Sequence, residues 1–189
     1  MKKQVVAKLI FGYDVEYMYQ SPSLMPGLCD VCHNRLEDVP NMAYKMRKKK
    51  GDMFYTYDHY CIVTEKFKSF CDENHYPGLK FTAITASPGF YHFMPTIVYK
   101  LDCVRGGTRF MNHRECCGSY DEVIGIPEFK EVDFFMPNDD FICRSEHLFG
   151  TREKKSPLII IGLDTMRKMK SYGLRGICYF DVYEYPQST

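Results

Sequence analysis

The residues whose types and spacing suit chemistry best are Cys29-Asp30-Val31-Cys32 and, far along the chain, His113-Arg114-Glu115-Cys116-Cys117-Gly118. Two cysteines separated by two residues can turn both sulfurs toward one point, because the backbone between them folds back tightly. That is half of a tetrahedral zinc site. Structural zinc is almost always four-coordinate, so a second half has to come from elsewhere, and His113 with Cys116 repeats the two-residue spacing.

Two registers relate the halves. Setting Cys29 on His113 puts Cys32 on Cys116, Leu36 on Tyr120, Glu37-Asp38 on Asp121-Glu122 and Val39 on Val123. In the other register Gly118, a small residue that lets backbone N–H groups approach a ligating sulfur, marks Cys117 as the ligand, with His113 or Cys116 completing the set. The expected ligands are therefore Cys29, Cys32 and two of His113, Cys116 and Cys117. Four protein ligands leave no open position for an activated water, which makes such a Zn2+ structural rather than catalytic.

No other constellation competes. The chain lacks a GxSxG elbow, a GxxxxGK[ST] phosphate loop and an HExxH zinc helix, and Gly106-Gly107 alone is too short to indicate a nucleotide. An enzyme is not expected. Cys116-Cys117 as a redox pair is opposed by the strain of vicinal disulfides. Cys61, Cys71, Cys143 and Cys178 sit among apolar neighbours and read as core thiols. His92, between Tyr91 and Phe93, reads as a strand histidine, and Asp139-Asp140 as a solvated loop pair.

Composition sets the frame for these residues. A length of 189 with 45% hydrophobic and 26% charged residues is enough to bury a core in a single domain. A formal charge of +1 argues against bulk nucleic-acid binding. Nine cysteines accompany an N-terminal stretch, Met1 to Lys8, without the apolar core of a signal peptide. The longest apolar run, Leu158 to Leu163, is far short of a membrane span. A cytoplasmic location follows, where clustered thiols serve metals more often than disulfides.

The elements that would position the cysteines can be read in order. Val5 to Tyr19 gives one or two strands, broken at Gly12 and Asp14, and Ser21 to Gly27 is a loop delivering the first pair. Arg47-Lys48-Lys49-Lys50-Gly51 is a basic turn. Thr64 caps a helix carrying Phe67, Phe70 and Cys71 on one face, Tyr76-Pro77-Gly78 ends it, and Leu79 to Ile84 is a strand. Phe90 to Leu101 alternates as a strand or hairpin broken at Pro95, and Pro137 to Asp140 marks a loop. Leu158 to Ile161 is a strand, Asp164 caps a helix carrying Met166 and Met169, Gly173 stops it, and Gly176 to Tyr185 closes the chain as a strand. The similarity of the two strand-helix-strand segments predicts an α+β fold: two pseudo-repeats, about 1–102 and 103–189, joined by a zinc-ribbon-like pair of knuckles.

The chain also resembles the bacterial double-CXXCG motif proteins, some of which are immunity proteins of the myxobacterial Sit toxin systems. The resemblance rests on Met25-Pro26-Gly27-Leu28-Cys29-Asp30-Val31-Cys32, Arg105-Gly106-Gly107-Thr108-Arg109-Phe110, Cys117-Gly118-Ser119-Tyr120-Asp121-Glu122-Val123 and Arg144 to Gly150. It continues through Lys155-Ser156-Pro157-Leu158 and Leu174-Arg175-Gly176. Two positions depart from the pattern: His33 stands where a glycine follows the first pair, and Arg114 stands where the third cysteine falls. The resemblance implies a small cytosolic protein that binds and neutralises a cognate toxin without catalysis. Aromatic and acidic residues of Asp133 to Phe149 are candidates for the contact. The alternative is a zinc-ribbon nucleic-acid-binding protein using Lys48 to Lys50 with Arg105 and Arg109.

Overall fold

The computed structural model describes residues 3–47 and 50–184. From the N-terminus, β1 (Gln4–Phe11) and β2 (Tyr13–Val15) are followed by a long excursion, residues 16–52, whose described residues contain one short 3-10 turn at Pro22–Leu24. Then come β3 (Met53–Thr56), β4 (Cys61–Thr64), α1 (Glu65–Glu73), β5 (Leu79–Ala83), β6 (Phe90–Pro95) and β7 (Val98–Tyr99). The rest is β8 (Arg109–Arg114), β9 (Ser119–Ile124), β10 (Ile142–Thr151), β11 (Ser156–Gly162), α2 (Leu163–Tyr172) and β12 (Cys178–Glu184).

The strands form two sheets. The larger runs β12-β1-β11-β10-β9-β8, with β7 added parallel to β10, and it curls into a half-barrel. The smaller runs β2-β3-β4-β6-β5. Alternation along the strands assigns their faces. In β11, a wholly buried run, Ile159 and Ile161 join the core that holds both helices, while Leu158 and Ile160 join a second core under residues 99–141. In β3, Met53 and Tyr55 face the helices, and Phe54 faces a third core in which Met18, Met25 and Tyr44 of the excursion are buried. A strand with both faces covered needs no polar residues between the apolar ones, which is why β11 reads as a continuous apolar run.

The helices form where the sequence signals them. Thr64 Oγ1 accepts the Phe67 N–H at 3.4 Å, and Phe67, Phe70 and Cys71 are buried along one face of α1. Truncating fully buried Phe67 to alanine would cost about 3–5 kcal/mol. Gly173, with φ of 77°, closes α2 in the left-handed conformation. The helix begins two residues earlier than expected, with Gly162 as the capping residue and Asp164 in its first turn. Phe70 and Tyr172 meet with ring centroids 5.3 Å apart, so the helices pack on each other as well as on both sheets.

The expected α+β architecture, two strand-helix-strand repeats joined by zinc-ribbon-like knuckles, is corrected here. The fold is mostly β, with two α-helices among the described residues. The strands flanking each helix are not neighbours: β6 lies between β4 and β5, and β1, from the far N-terminus, lies between β11 and β12. Both intervening strands run antiparallel to the pair they separate. Local patterning identifies a strand or a helix, but sheet order is set by pairings between residues far apart in sequence. The knuckles do not join repeats. One lies in the 16–52 excursion, the other is the β8–β9 turn.

Candidate metal centre

The first knuckle is a tight hairpin built on backbone hydrogen bonds. Gly27 O accepts from Leu36 N at 2.8 Å and Glu37 N at 3.0 Å, and Leu28 bridges Arg35. Within that frame Cys29 N donates to Asn34 O and His33 N donates to Cys29 O, both at 2.9 Å. His33 takes φ of 58°, a left-handed conformation costly for a side chain.

The second knuckle follows β8 and repeats the turn. Gly118 N and Cys117 N both donate to Arg114 O, at 2.8 and 3.2 Å, and Gly118 has φ of 65°. Arg114 therefore occupies the place of Cys29, Cys117 that of Cys32, Gly118 that of His33 and Ser119 that of Asn34. The correspondence extends to the sulfurs, since the backbone of Asn34 hydrogen-bonds Cys32 as that of Ser119 does Cys117.

The tips of the hairpins meet. The Sγ atoms of Cys29, Cys32, Cys116 and Cys117 all lie within 4.8 Å of one another, a group that could hold a metal ion. Cys29 faces Cys116 at 3.8 Å and Cys32 faces Cys117 at 3.5 Å, across 87 and 85 residues of sequence. Cys116 supplies the fourth sulfur from inside the turn, beside the position that Arg114 occupies. His113 stands outside this group: it is exposed on β8, with its ring 5.1 Å from that of Tyr120.

The surroundings of the sulfurs are charged and ordered. Burial pushes the Cys32 thiol up, but the Asn34 backbone N–H and then the sulfurs of Cys117, Cys29 and Cys116 outweigh it, holding Cys32 at about 6. Desolvation and the neighbouring sulfurs push Cys116 up to about 12, and desolvation also raises Cys117. Asn34, fully buried, donates its Nδ2 to Cys32 Sγ at 3.3 Å and to Asp121 Oδ1 at 3.2 Å. Arg114 Nε donates to the same carboxyl at 2.9 Å, a second guanidinium contact completes the fork, and the Asp121 carboxyl is held at about 2. Arg114, at the position that matches Cys29, thus anchors the carboxylate that orients Asn34.

Lys155, only 1% exposed, is tied to the second knuckle. Its Nζ donates to Ser119 Oγ at 2.7 Å and to the Tyr120 carbonyl. Burial lowers its pKa, while the negative charge of Cys117, Cys32 and Asp121 works to keep it protonated. Asn34, Asp121 and Lys155 are not evident as site residues in the sequence. The signals that existed were an acid repeated after each knuckle and a lysine opening the apolar run of β11.

Other expected features fall as follows. Cys61, Cys71 and Cys143 are buried, but Cys178 is exposed. His92 is buried, with Nε2 2.9 Å from Asp38 Oδ2. Asp140 is not a free loop acid, since it accepts from Tyr76, Thr165 and Lys168. Between Asp133 and Phe149, Phe141 and Phe149 belong to the core and Phe134 packs against it, leaving Phe135 exposed. Lys48 and Lys49 of the basic turn, like Tyr185 at the end of the closing strand, lie outside the described residues. No helix among the described residues is long and apolar enough to cross a membrane. In comparisons with family models, curated proteins and solved structures, no match to the chain was found.

Proposed function

We propose that the chain is a non-enzymatic, zinc-stabilised protein of the cytoplasm that binds and neutralises a cognate toxin. The observation that carries the reading is the convergence of four cysteine sulfurs from two matched hairpins. Four sulfurs bound to one zinc at about 2.3 Å in a tetrahedron stand about 3.8 Å from one another. The facing pairs at 3.8 and 3.5 Å suit that spacing. Soft thiolates favour zinc over the hard divalent ions, and four of them leave no site for substrate or water.

A closed centre of this kind contributes to folding rather than to chemistry. Apparent binding energies of roughly 10 to 16 kcal/mol are typical of structural zinc. Here the ion would fasten the 16–52 excursion, which has little regular structure, to the β8–β9 hairpin. The likeness to double-CXXCG proteins supplies the toxin-binding part of the reading, and a passive, metal-fastened body fits it.

The test is survival of a host that expresses the toxin encoded beside this chain's gene, with and without the chain. Survival only in its presence, together with a purified complex of the two proteins, is expected. Equal survival without it overturns the reading.

A further inference from the structure

Four thiols can be joined as two disulfides in three ways. Joining Cys29 to Cys32 leaves Cys116 with Cys117, neighbours across a trans peptide. Their Cα atoms are held about 3.8 Å apart, below the span of about 4.4–6.8 Å that a disulfide takes without strain. Both of the other ways tie one hairpin to the other. One of them joins the sulfurs that already face each other, Cys29 with Cys116 at 3.8 Å and Cys32 with Cys117 at 3.5 Å. These pairs need to close by about 1.8 and 1.5 Å to reach the S–S length of about 2.05 Å.

Access to the four sulfurs is graded. Cys116 is exposed, Cys32 and Cys117 are half-buried and Cys29 is buried. Each facing pair therefore sets a sulfur that solvent reaches beside a partner from the other hairpin. A thiol that close condenses with a sulfenic acid before a second oxidation makes the damage irreversible.

We infer that the four-sulfur group is an oxidant-responsive fastening with two states. In the reduced chain the four thiolates hold zinc, and after reaction with a hydroperoxide the chain carries the disulfides Cys29–Cys116 and Cys32–Cys117. For the reduced state the inference rests on the zinc reading above. The Cys116 thiolate breaks the O–O bond of one peroxide, keeping one oxygen as sulfenic acid and releasing hydroxide. The Cys29 thiolate then attacks that sulfur, the S–S bond forms and the second oxygen leaves as hydroxide. Two electrons pass from the two sulfurs to one peroxide. Cys32 and Cys117 repeat the step with a second peroxide, and zinc, deprived of its thiolates, leaves. Both states tie the 16–52 excursion to the β8–β9 hairpin, across 87 and 85 residues of sequence. Loss of the ion to an oxidant thus keeps the hairpins fastened, whereas loss to a chelator frees them. A dithiol reductant reverses the change by exchange.

The test uses the purified full chain, with zinc measured first. Hydrogen peroxide is added at two equivalents per chain, and released zinc is followed with a colorimetric indicator. Remaining thiols are alkylated, and the unreduced chain is cut before Asp30, which separates Cys29 from Cys32, for tandem mass spectrometry. Zinc release in step with the oxidant and the links Cys29–Cys116 and Cys32–Cys117 are expected. The oxidised chain should melt about 10 °C or more above the reduced, chelated one. Dithiothreitol with added zinc should restore the metal-bound form. Two variants assign the links: after oxidation Cys116→Ser should keep Cys32–Cys117 with Cys29 free, and Cys117→Ser should keep Cys29–Cys116 with Cys32 free.

A Cys29–Cys32 disulfide, the diagonal links Cys29–Cys117 and Cys32–Cys116, sulfinic acid at Cys116 in place of a disulfide, or thiols unaltered by peroxide each overturn the inference. In each case zinc found beforehand leaves the metal reading standing. A chain that carries no zinc yet forms the two facing links overturns the metal reading and upholds the disulfide state.

Discussion

The two knuckles trace the same hairpin with different first residues. In one, Cys29 opens the turn and its carbonyl receives the His33 N–H; in the other, Arg114 opens it and receives that of Gly118. Each has one sulfur in the matching place, Cys32 or Cys117. The fourth sulfur comes from Cys116, which has no counterpart in the first knuckle, where Val31 occupies the position and is exposed. The four-sulfur group is thus assembled from two hairpins that differ at their first residue, a cysteine in one and an arginine in the other. The backbone turn is the constant feature, and which of its side chains supply sulfur is adjustable.

The strongest test of that comparison is removal of the proposed ion or of a sulfur at the position the two knuckles match. Cys32→Ser or Cys117→Ser, like exhaustive chelation, should lower the melting temperature by tens of degrees, since structural zinc contributes roughly 10 kcal/mol or more. Calorimetry of the metal-loaded and stripped chains checks it. Next comes an exchange of ligand positions. Cys116→Ser alone should lose the metal, and adding Arg114→Cys should restore it by making the second knuckle a copy of the first, as metal analysis of both variants would read. Failure of that rescue would mean that Arg114 is not equivalent to Cys29.

A smaller effect is expected at Lys155. Replacing it by methionine keeps the stem but removes the charge and the donors to Ser119 and Tyr120, and metal affinity in a competition titration should fall about 10- to 100-fold, as for other outer-shell partners. Acid should act in two stages. Thiolate ligands take up protons and release the metal first. The stability from the Arg114–Asp121 pair, whose carboxyl is depressed to about 2, is fully present above the ordinary carboxylate pKa of about 3.9 and is lost as pH falls toward 2. Circular dichroism with metal analysis along the titration separates the stages, and Asp121→Asn should remove the second.

The smallest difference concerns the two left-handed positions. Gly118→Ala should cost about 1 kcal/mol, and His33→Gly should gain about 0.5–1 kcal/mol, because a side chain in this conformation is strained by about 1–2 kcal/mol. Denaturant midpoints of the two variants check both signs.

What the sequence disclosed depended on range. The Cys29–Cys32 spacing, Thr64 as a helix cap and Gly173 as a stop are each decided within one turn of chain, and each is found where the residues place it. The choice among His113, Cys116 and Cys117 needed the β8–β9 register, because Arg114 pairing Ser119 fixes which side chains reach the first knuckle. The insertion of β1 between β11 and β12 was invisible for the same reason, being a contact between opposite ends of the chain. Cys178, with apolar neighbours in sequence, looked like a core residue, yet it starts an edge strand and is exposed.

The claim beneath this account is a single ion held by sulfur alone. X-ray absorption at the zinc edge of the purified chain reads it directly. One zinc per chain with four sulfur neighbours at about 2.3 Å is expected. A nitrogen in the shell, which would return His113 to the site, or a chain purified with these four thiols and no bound metal, would contradict it.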